Sequence, residues 1–204
     1  MNKKEIFTII LAALILALAT AFKNTEILGA AFLIFLIILT LNILTKKIVS
    51  QYFETAIKIK FWTLQQYGFK KRDHFKNPIP MVWLPLIVAL ISKGFILWLA
   101  ILEFDIKAKT ERVAKKHGIY RFTQVTEWHV ASIATWGIII NLIAAVVAYL
   151  IGFELFAKLS IYFIAWSIIP IGRLDGSKIF YASRNLWITL FTVIAIILGW
   201  SFFI

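Results

Sequence analysis

The chain has 204 residues, 61% hydrophobic and 16% charged, with a mean hydropathy of +0.87 and a net charge of +12. Soluble domains run at about 45–50% apolar and about 25% charged, so there is too little polar surface here to coat a soluble globule, and the long apolar runs exclude disorder, collagen and coiled coil. The cations sit in short segments between those runs, which points to membrane topology and anionic headgroups rather than nucleic acid; with no cysteine, disulfides, thiolate zinc sites and thiol nucleophiles are excluded.

Residues 6–22 and 27–45 are uncharged apolar runs joined by Lys23-Asn24-Thr25-Glu26, which predicts a helical hairpin over residues 1–45. The start of the chain also resembles a signal peptide, with Lys3-Lys4, an apolar stretch and Ala17-Leu18-Ala19, but a second apolar run follows almost at once, which favours a retained helix. Residues 46–80 form a basic interruption. Lys46, Lys47, Lys58, Lys60, Lys70, Lys71 and Arg72 are interleaved with aromatics, which predicts a surface-lying amphipathic helix against anionic lipid headgroups. Pro78 and Pro80 close it.

Residues 81–102 are the third apolar segment, with one charge, Lys93. Residues 104–109 alternate like a strand, and His117-Gly118 before 119–122 suggests the turn of a small β-hairpin. Residues 128–153, 155–170 and 185–204 complete six candidate spans, with a polar loop at 171–183. If all six cross, the basic segments 46–80 and 104–126, with eight and six Lys/Arg, lie on opposite sides, against the positive-inside rule.

Three polar residues carry potential chemistry. Lys93 lies mid-segment, where an ammonium costs at least ~2.5 kcal/mol and needs a partner, a cavity or a route to the interface. Gly137 and Asn141 share a helix face, as packing faces with an interhelical amide do. Asp175 follows Pro170 and lies in Arg173-Leu174-Asp175-Gly176, where it either points back into the bundle, pairs with Arg173 or caps a helix.

The order of a helix, a short β region, a Gly-x-x-x-Asn helix and a Leu-Asp-Gly segment resembles the site-2 protease family of intramembrane zinc metalloproteases (peptidase family M50). Gly137 and Asn141 match the ends of its Gly-Pro-x-x-Asn. Pro170, Leu174, Asp175 and Gly176 match its Asn-x-x-Pro-x-x-x-Leu-Asp-Gly, with Ser167 at the Asn position. The resemblance covers roughly residues 81–184 and implies an all-α polytopic fold with a three-helix core and a small β-hairpin, flanked by residues 1–45 and 185–204. It also implies a His-Glu-x-x-His helix near residues 91–96, where residues 75–102 hold no His, Asp or Glu.

The zinc ligands and the water-activating glutamate are therefore missing from that stretch. The three histidines are His74, His117 and His129, and only His129 with Asp175 offers a rudimentary zinc site. The expectation is a catalytically inactive relative in the cell membrane, with no cofactor. It binds single-span membrane proteins or an active protease, and Lys93 replaces zinc as the counter-charge of Asp175. Two rival readings are a zinc peptidase using His129 and Asp175, and a small transporter or channel component with Lys93 and Asp175 lining a polar path.

Overall fold

The computed structural model describes residues 3–66, 74–109 and 125–203. Helices α1 (Lys3–Thr20) and α2 (Leu28–Tyr52) form the expected hairpin. Ala12, Ala13, Ala17 and Ala19 are buried on α1, and such small side chains let two helix backbones approach closely. The Glu5 carboxylate accepts from Lys47 Nζ at 2.6 Å, which ties the start of α1 to the end of α2. At the far end, Asn24 Oδ1 accepts from Glu26 N–H at 3.1 Å and closes the turn.

Residues 55–61, 63–66 and 74–80 are strands, which corrects the amphipathic-helix expectation. β1 (Thr55–Phe61), β2 (Thr63–Gln66) and β3 (His74–Pro80) follow α2 directly. Ala56-Ile57-Lys58-Ile59-Lys60-Phe61 alternates with period two, and the strand buries Ile57 and Ile59 while Lys58 and Lys60 face outward. β4 (Leu102–Ala108) lies where strand-like alternation predicts it. Its partner is β1, paired antiparallel from Thr55–Ala108 to Phe61–Leu102. The expected partner at 119–122, with His117, lies outside the described residues, as do Lys70, Lys71 and Arg72.

Residues 81–102 are not one span. The helix α3 (Leu84–Ile91) has eight residues, about 12 Å of rise against a hydrocarbon core of about 30 Å. It stops at Ser92-Lys93-Gly94, where Lys93 and Gly94 take positive φ values of 52° and 76°. The Ser92 hydroxyl then accepts from Ile96 N–H at 3.1 Å, and the chain returns as an extended leg through the buried Leu99, Ala100 and Ile101. Both legs meet at Trp62: its carbonyl accepts from Met81 N–H at 3.0 Å, and its own N–H donates to Ile101 at 2.8 Å. Trp98, on the return leg, stacks on Trp62 and packs against Trp166, which fixes the leg to the helices.

This hairpin of α3 and its return leg means that residues 81–102 do not carry the chain from one end of the bundle to the other as a single helix. β1 and β4, one from each basic segment, pair in one ribbon, so these two strands lie at the same end of the bundle.

The remaining helices are α4 (Glu127–Leu150), α5 (Glu154–Ser167), α6 (Asp175–Ala182) and α7 (Arg184–Ser201). Among the described residues the architecture is thus mostly helical with two small two-stranded ribbons. Among the described residues, three helices are long and apolar enough to cross a membrane: Thr25–Tyr52, Glu127–Leu150 and Arg184–Ser201. The other candidate segments fall short for visible reasons. Lys3, Lys4 and Glu5 occupy the first turn of α1, α3 is short, and α5 has only 14 residues.

Candidate functional site

Three helices meet around one buried ion pair. On α2, Asn42 and Lys46 are four residues apart and share a face. Lys46 Nζ donates to Asp175 Oδ2 at 2.5 Å, with both side chains about 7% exposed. The partner of Asp175 is therefore Lys46, not Lys93. Lys93 is exposed in the turn after α3, and the adjoining Gly94 packs on Lys23 of the α1–α2 turn. Because α3 ends so early, Lys93 stands at a turn and not in mid-helix.

The sequence motif glycines are explained by close approach. A Cβ on Gly137 would lie 2.4 Å from Lys46 Cε, so only glycine lets the lysine stem cross α4 on its way to Asp175. The Gly137 carbonyl accepts from Asn42 Nδ2 at 2.7 Å, which fixes α2 against α4 at this level. A Cβ on Gly176 would lie 1.9 Å from the Ile168 carbonyl oxygen, so the start of α6 sits directly on the end of α5. Pro170 follows α5 just past its C-cap, Ile168, where it cannot continue the helix. Leu174, 2% exposed, is the N-cap residue of α6. Asp175 then opens that helix, and its carboxylate stands at the positive end of the helix dipole.

Asn141 is fully buried, but the contact that it makes to α5 comes from its backbone: Ser160 Oγ donates to its carbonyl at 3.0 Å. The Asn141 amide, Asp175 Oδ1 and Ser177 Oγ are buried without a hydrogen-bond partner. A cavity of about 20 Å³ adjoins the pair, lined among others by Asn42, Lys46, Ser167, Leu174 and Asp175. That is room for about one water molecule.

A second ammonium lies beside the first. Lys178, one turn after Asp175, donates to the Phe104 carbonyl at 2.6 Å and lies 3.4 Å from the centre of the Phe104 ring. Burial pushes its pKa down to about 8, against the opposing pull of Asp175. Lys46 approaches the same ring at 4.9 Å. Sequence reasoning missed Asn42, Lys46 and Lys178 as site residues. The available signal was Asn42 inside an otherwise apolar helix with a lysine four residues on.

Lys46 is thus removed from the lipid-contact set, because its head lies inside the bundle. Lys47 is paired with Glu5, while Lys58 and Lys60 are exposed, Lys60 in an ion pair with Asp105 across the ribbon. His129 belongs to the start of α4. Its Nδ1 accepts from Thr126 N–H at 3.3 Å, and its ring lies 4.7 Å from that of Phe53. It precedes Gly137 by eight residues, about 12 Å of helix rise.

Zinc does not fit these residues. Catalytic zinc takes three protein ligands as a rule, and no group of three or more His, Cys, Asp or Glu that could hold a metal exists among the described residues. Two carboxylates line the cavity: Asp175 is already neutralised by Lys46, while Glu103 is buried and burial raises its pKa, and Lys178 adds further positive charge.

Comparison with protein-family models, curated proteins and solved structures gives no match to this chain. The functional reading therefore rests on the geometry of the site.

Proposed function

We propose that the chain is a multi-pass integral protein of the cell membrane, with a site-2-protease-like core in which an ion pair replaces the metal. On this reading it binds or regulates membrane-helix clients without cutting them. The observation that carries the proposal is the contact of Lys46 with Asp175, made from a helix that presents an i, i+4 polar pair. In the family that the sequence resembles, an i, i+4 histidine pair and the aspartate of Leu-Asp-Gly hold zinc. Here residues 42–46 read Asn-Ile-Leu-Thr-Lys on α2, so Asn42 and Lys46 take the two histidine positions and Ile43 takes that of the glutamate.

The motif helix is then α2, not the stretch near residues 91–96. With this register the segment order becomes motif helix, β-ribbon, Gly-x-x-x-Asn helix and Leu-Asp-Gly, as in the family. An ammonium supplies the positive charge that Asp175 needs, but it has no open coordination position and cannot lower the pKa of a water as zinc does. Ile43, buried and apolar, cannot act as a base. What remains is a packed helical scaffold, suited to holding a partner helix.

Purified from membranes, the protein is expected to carry well under one zinc per chain. It is also expected to leave intact a single-span helix with which it co-purifies. Stoichiometric zinc that disappears in Asp175→Ala, or cleavage of that helix, contradicts the proposal and returns the chain to the zinc peptidases.

A further inference from the structure

We infer that the outer face of the β1–β4 ribbon is a binding surface for the phosphate headgroups of anionic phospholipid in the cytoplasmic leaflet. The ribbon register puts Lys58, Lys60 and Lys107 on one face, and all three are exposed. Asp105 and the buried Glu103 share that face by register, with Asp105 paired to Lys60, so three lysines stand against two carboxylates and the face stays net positive. Lys76 on β3 is exposed as well.

The position of the ribbon carries the inference further than charge alone. β1 does not project away from the helices but runs back along α2. Thr55 Oγ1 donates to the Ser50 carbonyl at 3.0 Å, and Ile59 shares a cavity with Leu39, Asn42 and Lys46. The outward lysines therefore flank the C-terminal half of an apolar helix long enough to cross a membrane. Exposed Tyr52, Trp128 and Tyr181 mark the same end of α2, α4 and α6, as an interfacial aromatic belt does.

The two ends of the bundle differ in charge. Among the described Lys and Arg residues only Lys23, Lys93 and Lys158 lie toward the opposite end, together with Glu26 and Glu154. The positive-inside rule then assigns the ribbon to the cytoplasmic side, where anionic lipid is enriched. The inference depends on the bundle being embedded in a membrane and is independent of whether its core is protease-like.

The test uses the full chain in neutral detergent. Added phosphatidylglycerol is expected to raise the unfolding temperature, whereas phosphatidylcholine and inorganic phosphate do not. A basic residue near the surface contributes about fivefold in binding, so Lys58→Gln/Lys107→Gln is expected to need on the order of twentyfold more phosphatidylglycerol for half of the effect. Its stability without lipid stays that of the native chain, since both side chains are exposed. Equal stabilisation by phosphatidylcholine or by inorganic phosphate, or an undiminished response of the double variant, overturns the inference.

A second arm uses the absence of cysteine. Lys58→Cys and Lys93→Cys, labelled in sealed vesicles with an impermeant maleimide, are expected to react from opposite sides, Lys58→Cys from the cytoplasmic one. Labelling of both from one side, or of Lys58→Cys from the outside, overturns it equally.

Discussion

Lys46→Met is expected to destabilise the protein by about 3–5 kcal/mol, the usual cost of leaving a buried charge without its partner. Methionine replaces most of the lysine stem, so the loss reports the missing ammonium and not a cavity. Asp175 is left with one oxygen that already lacks a partner and a second that loses its donor. Lys178 offsets only part of the loss, because it interacts with Asp175 while one of its donors is held by the Phe104 carbonyl. Adding Asp175→Leu to Lys46→Met is expected to recover most of the loss, since a buried pair replaced by apolar groups of similar volume is often neutral or stabilising. The double-mutant coupling, measured by reversible unfolding in mixed micelles, should exceed about 2 kcal/mol. Lys93→Met, in an exposed turn, should change stability by less than about 0.5 kcal/mol. If Lys93→Met is the damaging change and Lys46→Met the silent one, the assignment of the pair is wrong.

The second large effect belongs to Gly176. Alanine there places a methyl group 1.9 Å from the Ile168 carbonyl oxygen and 2.2 Å from its carbon, and backbone cannot step aside as a side chain can. Gly176→Ala should cost more than about 4 kcal/mol, in the range reserved for broken cores, and leave little folded protein in the membrane. Gly137→Ala meets the Lys46 stem at 2.4 Å instead. Its cost should be the milder one of overpacking, about 1–3 kcal/mol. The two glycines therefore separate by rescue. Lys46→Ala opens space for the methyl of Gly137→Ala and should make the two changes less than additive, while no side-chain truncation near α6 should relieve Gly176→Ala. Unfolding curves of the single and double variants check both statements.

Much of the helical frame was legible because apolar runs and their breaks are local. The α1–α2 hairpin, the long α4 and the C-terminal α7 follow from run length and flanking polar residues. β4 follows from the alternation of Phe104-Asp105-Ile106-Lys107, whereas for Asp175 the flanking proline and glycine left an inward carboxylate, a pair with Arg173 and a helix cap all open. The failures are equally physical. In residues 81–102 apolar composition outweighs Ser92-Lys93-Gly94, yet three such residues suffice to reverse a chain when two of them take positive φ. In residues 55–61 the basic and aromatic mixture suggests a helix, while the period of two, the better guide, indicates a strand. The partner of Asp175 was illegible for a different reason. Lys46 lies 129 positions away in sequence, and at the end of an apolar run it reads as an interfacial lysine. Only the glycine that it crosses, Gly137 on another helix, explains how its head turns inward.

Zinc binding by the variant Asn42→His/Ile43→Glu/Lys46→His tests the central claim most directly. It writes His-Glu-x-x-His onto α2 opposite Asp175 and removes the ammonium that neutralises that carboxylate. If the ion pair stands where the metal of a site-2 protease would, the folded variant binds one zinc per chain, and Asp175→Ala in the same background abolishes it. A folded variant that holds no zinc, or holds it irrespective of Asp175, contradicts the account.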